Sequence, residues 1–185
     1  FLALTACQKR MDESTFTGTW NVLEENEAAG GRSEMTVTVT ADKDRFRMVS
    51  KGLTTEMITV YDEGMLHTKI TYLDPRYASA APTVQSRAVK EHEWKPLCFW
   101  RTPRQGEKSP GGDIAGRATV LYKSGEKRPD GEVAMQVWSD EKEGITLKSI
   151  STVYSKQIGQ VVMRKTEECK SIQFGPVDPA SFNKP

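Results

Sequence analysis

The sequence predicts a mainly β (α+β) fold of about ten antiparallel strands with one helical interruption. From residue 16 onward, apolar and polar residues alternate with the period of two that places successive side chains on opposite faces of a strand. Gly and Asp residues punctuate these stretches, and connections this short join antiparallel neighbours. The chain has 185 residues, which suits one folded domain, and we place that domain at residues 16–185.

The first half of the domain reads as a meander of five strands. These predicted strands cover residues 16–23, 34–40, 44–50, 54–61 and 64–73. In the second of them Met35, Val37 and Val39 share one face and threonines occupy the other, as in a sheet with one solvated side. We expect the face with Met35 and the valines to be buried.

The middle of the chain, residues 74–112, breaks this alternation with five prolines. We predict a short helix at residues 83–94, then an apolar stretch at 96–100 and a loop rich in Gly, Pro and Lys. Basic residues surround the apolar stretch. Two interpretations stay open: a helix and loop that cover one face of the sheet, or a lid over a hydrophobic cavity.

The second half returns to strands, predicted at residues 114–123, 132–139, 145–154, 157–165 and 171–174. Two of the intervening turns carry clear signals. Pro129-Asp130-Gly131 suits a tight hairpin, and the acidic stretch 140–144 ends on a glycine.

The N-terminus predicts export and lipidation. Residues 1–7 end in Leu4-Thr5-Ala6-Cys7, which resembles a bacterial lipobox at the end of a signal peptide, with Cys7 as the lipidated residue. Polar residues 8–15 follow and suit a flexible tether. The alternative is a hydrophobic N-terminal strand that contains an incidental cysteine.

Charge and cysteine content restrict the partners. The formal net charge of +1 does not favour nucleic acid. After Cys7 no apolar run approaches the roughly 20 residues of a spanning helix, so we expect attachment through the lipid alone. Cys98 and Cys169 then remain, either as a disulfide in an oxidising compartment or as two separate buried thiols.

Catalytic signals are weak. The chain has two histidines, His67 and His92, and neither lies in a spacing that binds metal. No nucleophile elbow or phosphate-binding loop is present in the sequence. We therefore predict a protein that is not an enzyme and has no metal or cofactor.

Methionine and aromatic residues are frequent in the predicted strands and in the apolar middle stretch. Methionine is flexible and polarisable, so it fills irregular cores and also adapts to irregular ligands. Core filling and a pocket for acyl chains are therefore both open. The candidate ligand-binding residues are Met48, Met57, Met65, Tyr72, Leu97, Phe99, Trp100, Met135 and Trp138.

Three stretches near the C-terminus, residues 132–140, 144–149 and 175–182, together resemble the closing strands of LolA-like lipoprotein-carrier proteins. Residues 45–48 and 57–64 are similar to the early hairpins of that superfamily. The resemblance implies a curved antiparallel half-barrel that is not closed, with a helix and loop over its concave face and a hydrophobic cavity for lipid. The chain differs in having its own lipidation signal and no clear N-terminal helix, which implies an anchored relative.

Together these features predict a cell-envelope lipoprotein that binds a lipid or another hydrophobic ligand, or aids lipoprotein or lipid trafficking, without catalysis. Gln8 after the lipidated cysteine, in place of Asp, implies the periplasmic side of an outer membrane. The alternatives are an assembly module whose sheet binds another envelope protein, and an envelope hydrolase.

Overall fold

A computed structural model describes residues 14–185 except 44 and 78, and leaves out the side chains of residues 91, 92 and 96. Within this part of the chain, eleven strands form one antiparallel sheet. The strands are β1 (Phe16–Asn26), β2 (Gly31–Asp42), β3 (Arg45–Lys51), β4 (Thr55–Asp62), β5 (Met65–Tyr72), β6 (Thr83–Ala88), β7 (Glu107–Ile114), β8 (Arg117–Arg128), β9 (Gly131–Asp140), β10 (Thr146–Ser155) and β11 (Gln160–Phe174).

The two halves of the chain meet at the centre of the sheet. The strand order is β6-β5-β4-β3-β2-β1-β11-β10-β9-β8-β7, so β1 pairs with β11 and each half extends outward as a meander. The sheet is not closed and forms a curved half-barrel, which confirms the predicted fold class. The lipidation site at Cys7 and most of the predicted tether lie outside the described residues.

The folded part of the chain already includes the end of the predicted tether. Ser14 is buried, and the Thr15 hydroxyl donates to the Asp42 carboxylate over 3.1 Å. Thr15 also accepts a backbone hydrogen bond from Gly175. Both residues therefore pack against the sheet ahead of β1.

The predicted helix at residues 83–94 is mostly wrong. Residues Thr83–Ala88 form β6, and only Glu91–Trp94 form an α-helix (α1). Every residue of β6 pairs with β5, from Thr83 opposite Ile70 to Ala88 opposite Met65. Sheet pairing with an available edge therefore outweighs the weak helical preference of this short stretch.

Two further strand assignments differ from the prediction. The stretch predicted as a loop contains β7, whose Pro110 is tolerated because β7 is an edge strand with one side unpaired. The predicted strands at 157–165 and 171–174 are one strand, β11. The intervening polar residues accommodate a bulge opposite Thr19 and Trp20.

The connection between β6 and β7 contains most of the helical residues. β6 and β7 are consecutive in the chain but occupy opposite edges of the sheet. The segment between them, residues 89–106, includes α1 and the short 3-10 helices Lys95–Leu97 and Phe99–Arg101. We call it the crossing segment, because it spans the sheet from one edge to the other.

Turn chemistry holds the β9–β10 connection in place. The buried Asp140 carboxylate accepts hydrogen bonds from the backbone N–H groups of Lys142 (3.0 Å) and Glu143 (2.6 Å). It also accepts from Arg117 Nε over 2.7 Å. Gly144 follows at φ 77°, a conformation that favours glycine, so the predicted turn signal is confirmed.

The predicted disulfide between Cys98 and Cys169 is absent: both cysteines are buried thiols. Cys169 lies on β11 opposite Trp20, and its Sγ donates to the Ser171 carbonyl over 3.3 Å. Cys98 lies between the two 3-10 helices of the crossing segment. Both belong to the hydrophobic core, where each thiol packs as a small apolar side chain.

Candidate functional site: the inner face of the sheet

One face of the sheet, which we call the inner face, carries the core. Strand register places Phe16, Ala41, Phe46, Tyr61 and Leu66 side by side across five neighbouring strands. A second row joins Gly18, Val39, Met48, Thr59 and Thr68, and a third joins Trp20, Val37, Ser50, Met57 and Ile70. The burial expected for Val37 and Val39 is confirmed, whereas Met35 is only partly buried against the core.

The crossing segment covers these rows with aromatic side chains. Trp94 stacks on Tyr61 with ring centroids 4.5 Å apart. Trp100 meets Phe46 edge-on at 5.5 Å, and Phe99 meets Trp20 edge-on at 5.5 Å. We define the aromatic cluster as Phe16, Trp20, Phe46, Tyr61, Trp94, Phe99 and Trp100. It fills the inner face of β1–β5 and confirms a covering role for the crossing segment.

The inner face continues beyond this cover on β9, β10 and β11. Register aligns Val133 with Val153 and Val153 with Met163, and in the next row it aligns Met135 with Ser151. These four apolar side chains, which we call the open strip, are only partly buried, and Met163 is 40% exposed. A cavity of about 340 Å³ adjoins the strip at Val133 and Val153. Its remaining lining is mixed, with the exposed Tyr154 and Ile158 and the charged Arg128, Asp130 and Glu132.

An ion pair between the buried Glu167 and the partly exposed Lys165 lies between the aromatic cluster and the open strip. Register places Glu167 next to Val22 on one side and Ser149 on the other. The Ser149 hydroxyl donates to the Glu167 carboxylate over 2.6 Å, and Lys165 Nζ lies 2.8 Å from its second oxygen. These partners compensate the burial of the carboxylate, because a buried charge without them is strongly unfavourable.

The predicted ligand-binding residues divide between the two faces. Met48, Met57, Phe99 and Trp100 belong to the packed core or lie against it, and Met135 lies in the open strip. Register places Met65 and Trp138 on the opposite, outer face. Tyr72 and Leu97 are more than one-third exposed. The nine residues therefore do not line one cavity.

Sequence reasoning missed an exposed apolar corner at one end of the sheet. Leu53, at the tip of the β3–β4 hairpin, is 91% exposed. The neighbouring Thr54 carbonyl accepts the backbone N–H of Leu73 over 2.7 Å, which brings the end of β5 to this hairpin. Tyr72 and Tyr77 are also exposed, and their ring centroids lie 6.0 Å apart. The sequence signal that could have revealed this corner is Leu53 itself, an apolar residue between Gly52 and Thr54 in a turn.

The outer face carries His67, whose Nδ1 lies 2.7 Å from Ser86 Oγ. Its strand neighbour is Val60, and both side chains are buried. The side chain of His92 is among those not described. Across the described residues, no group of three or more His, Cys, Asp or Glu side chains is arranged to hold a metal ion.

No helix in the described part of the chain has the length and apolar character that spanning a membrane requires.

No protein-family model matches this chain, and no curated protein matches it. Similar solved structures include one described as an outer membrane lipoprotein-sorting protein domain from Vibrio parahaemolyticus, at 10% identity and a TM-score of 0.43, with 98% of this chain and 95% of that chain covered. A DUF1329 family protein from Desulfovibrio piger has 8% identity and a TM-score of 0.41, and the match covers 98% of this chain and 95% of that chain. A LolA superfamily protein from Nitrosomonas europaea has 8% identity and a TM-score of 0.34, covering 98% and 97%.

Lipoprotein-sorting and LolA-superfamily structures are thus among the matches. The architecture of this chain is defined by its own strand register.

Proposed function

We propose that this chain is a non-catalytic cell-envelope protein that binds the acyl chain of a lipid along its inner face and takes part in lipid or lipoprotein trafficking. One observation carries the proposal. Beyond the crossing segment and the polar residues Glu167 and Lys165, the inner face is apolar again at the partly exposed open strip, beside a cavity of about 340 Å³.

The chemistry of the open strip suits an acyl chain. Met135 and Met163 are flexible and polarisable, so they adapt to chains of different length and unsaturation. Each methylene that leaves water contributes about 0.8 kcal/mol, and ligand pockets commonly start near 300 Å³. The cavity is therefore large enough for part of a chain, and the open strip adds apolar surface next to it.

The proposed cellular location rests on the N-terminal sequence. Lipidation at Cys7 would anchor the domain to a membrane, with Gln8 directing it to the outer membrane. The roles of Cys7 and Gln8 remain predictions, and incorporation of labelled palmitate into the full-length protein, abolished by Cys7→Ala, is the measurement that checks lipidation.

Displacement of a fluorescent fatty acid from the purified protein tests ligand binding. We expect Met135→Glu to weaken binding at least about tenfold, because it places a charge on the open strip. Met65→Glu is the matched control, since it makes the same change on the outer face. Failure of the unsubstituted protein to bind any acyl probe, or equal effects of the two variants, would contradict the proposal.

A second candidate function is supported by the sheet edge. β6 is an edge strand, and Val84 at its middle is 57% exposed. An unpaired edge can accept a strand from another protein. The chain would then act as an assembly module for an envelope partner. Stoichiometric capture of one envelope protein, lost in Val84→Asp while acyl binding persists, would favour this function.

A further inference from the structure

Charged side chains line the cavity that adjoins the open strip. The lining includes Arg128, Asp130 and Glu132 as well as the apolar Val133 and Val153. An acyl chain accounts for the apolar residues but not for the charged ones. Charges that border a bound ligand favour ligand groups of opposite sign, so they select among ligands. The charged residues therefore bear on which lipid head group the cavity accepts.

Two turns hold this lining in place. The backbone N–H of Lys156, in the β10–β11 connection, donates to the Asp130 carbonyl of the β8–β9 turn over 3.0 Å. Lys156 Nζ also donates to the carbonyls of Arg128 (3.0 Å) and Pro129 (3.4 Å). The two turns are thus joined through one lysine. The backbone that carries the charged residues is therefore positioned before a ligand arrives.

The three charged residues differ in how far they are already paired. Arg128 Nε and Nη2 donate to the Glu126 carboxylate over 3.2 and 3.1 Å. A guanidinium group carries five N–H donors, so Arg128 retains donors for a further acceptor. Asp130 and Glu132 form no ion pair within the residues that the structure describes. One cation with spare donors and two carboxylates without a salt bridge thus line the same cavity.

This lining favours a ligand that carries both signs of charge. A phosphate group accepts the remaining N–H donors of Arg128, because a guanidinium suits phosphate geometry. An ammonium group donates to the carboxylates of Asp130 and Glu132. A head group with a phosphate alone would meet two carboxylates and one cation, and this net negative charge would weaken its binding. A quaternary ammonium has no N–H to donate, so a primary amine fits better.

We propose that this cavity binds the zwitterionic phosphoethanolamine head group of a phospholipid, with the acyl chain extending from Val133 and Val153 along the open strip. The inference rests on the proposed acyl-binding function and deepens it, because it names the class of lipid. The chain stays on one side of the ion pair between Glu167 and Lys165. The Arg128 side chain is 52% exposed, so water screens its charge and the selectivity is moderate.

Titration calorimetry with three dihexanoyl phospholipids tests the head group while the acyl chains stay the same. Phosphatidylethanolamine should bind about threefold to tenfold more tightly than phosphatidylcholine, which lacks the ammonium N–H donors. Phosphatidylglycerol has no cation and should bind no more tightly than phosphatidylcholine. Free phosphoethanolamine, which is the head group without chains, should not displace the lipid at equal concentration.

Two substitutions separate the two halves of the head group. Asp130→Asn keeps a residue that suits the turn and should lower the preference for phosphatidylethanolamine over phosphatidylcholine. Arg128→Gln should weaken both lipids to a similar extent, because both carry a phosphate. Asp113→Asn and Arg164→Gln make the same changes outside the cavity lining and should alter neither affinity. Circular dichroism establishes that each variant is folded, and either variant alone tests the site if the other does not fold.

The outcomes separate this inference from the proposed function. If none of the three lipids binds, the acyl-binding function itself is wrong. If all three bind with equal affinity and Asp130→Asn has no effect, only the head-group preference is overturned. Tightest binding of phosphatidylglycerol would also overturn it, because an anionic lipid would then be the preferred class. Displacement by free phosphoethanolamine that is as effective as displacement by the lipid would assign the cavity to a soluble ligand and overturn the lipid assignment.

Discussion

Glycine at position 18 allows Trp20 to lie against its own strand. A Cβ at Gly18 would lie 2.6 Å from two ring carbons of Trp20 and 3.2 Å from the Ser171 carbonyl oxygen. Such contacts require the buried indole to move. We therefore expect Gly18→Ala to lower the free energy of unfolding by about 1–3 kcal/mol, measured by urea denaturation.

Gly31→Ala is the control for this prediction. Gly31 starts β2, and a Cβ there would meet nothing closer than an Asn26 carbon at 3.7 Å. Gly31→Ala should change the free energy of unfolding by less than about 1 kcal/mol, and should raise it slightly, because alanine restricts the unfolded chain. If both glycine variants lose the same free energy of unfolding, the packing of Trp20 does not require a glycine at position 18.

Cys169 makes stability sensitive to alkaline pH. Burial raises the pKa of its thiol from an ordinary value of 9.0 to about 12. Above pH 9 the unfolded chain releases this proton while the folded protein retains it, so the unfolded state binds fewer protons and stability falls as pH rises. The full contribution is present below pH 9 and is lost between pH 9 and pH 12.

Cys169→Ala isolates this effect. The stability advantage of the unsubstituted protein over the variant should shrink by about 2 kcal/mol between pH 8 and pH 10.5, measured by denaturation at both values. The difference in free energy of unfolding between the unsubstituted protein and Gly31→Ala should not change with pH, because neither glycine nor alanine has a titratable side chain. A constant difference for Cys169→Ala would show that the thiol ionises equally in both states.

At the scale of elements, the β3–β4 hairpin has an unusual tip. Leu53 is almost fully exposed beside the exposed Tyr72 and Tyr77, and tyrosine and leucine are side chains that partition into a membrane interface. We expect Leu53→Glu to leave the free energy of unfolding within about 0.5 kcal/mol of its unsubstituted value but to reduce binding of the isolated domain to phospholipid vesicles. Co-sedimentation measures this reduction.

Glu substitution at another exposed apolar residue provides the comparison. Leu97→Glu makes the same change in the crossing segment, where the residue is 38% exposed. It should retain vesicle binding if the hairpin tip is the contact. Equal retention in Leu53→Glu and Leu97→Glu would argue against a membrane contact at the tip.

Strands with regular alternation were predictable, and the irregular edges were not. β2 reads correctly because threonines and valines alternate along it, and its neighbours share that pattern. β6 has six residues, mostly polar and exposed, so its sequence carries no face preference. β7 contains proline and glycines. Both become strands because a neighbouring strand offers unpaired backbone groups.

At the scale of the whole molecule, the crossing segment connects the two edges and packs on the centre. Trp100 contacts Phe16 at the middle of the sheet and Phe46 on β3. We expect Trp100→Ala to cost about 3–5 kcal/mol and to lower hydrogen-exchange protection in β1 and β3 together. Denaturation and hydrogen exchange measure the two effects.

Leu97→Ala in the same segment is the matched control. Its side chain is more than one-third exposed, so the loss should remain below about 1 kcal/mol. Similar losses for Leu97→Ala and Trp100→Ala would indicate that the segment is held by its backbone and not by its tryptophans.

The candidate site was only partly predictable. Methionine and aromatic content pointed to the inner face, and Met48, Met57 and Met135 do lie there. Met135 and Trp138, however, are three positions apart on one strand and so lie on opposite faces. Glu167 and Lys165 are two positions apart on β11 and form an ion pair. The sequence contains many other pairs of opposite charge at similar spacing, so it does not identify this one.

By itself the sequence determined an antiparallel sheet with one buried face, because alternation with period two and short turns act between near neighbours. Tertiary structure alone decided three other features: the central pairing of β1 with β11, the crossing segment that packs Trp94 and Trp100 onto the sheet, and the reduced state of Cys98 and Cys169. Each depends on contacts between residues distant in the chain. Strand periodicity fixes which face a side chain occupies, but not which distant strand or segment comes to lie against it.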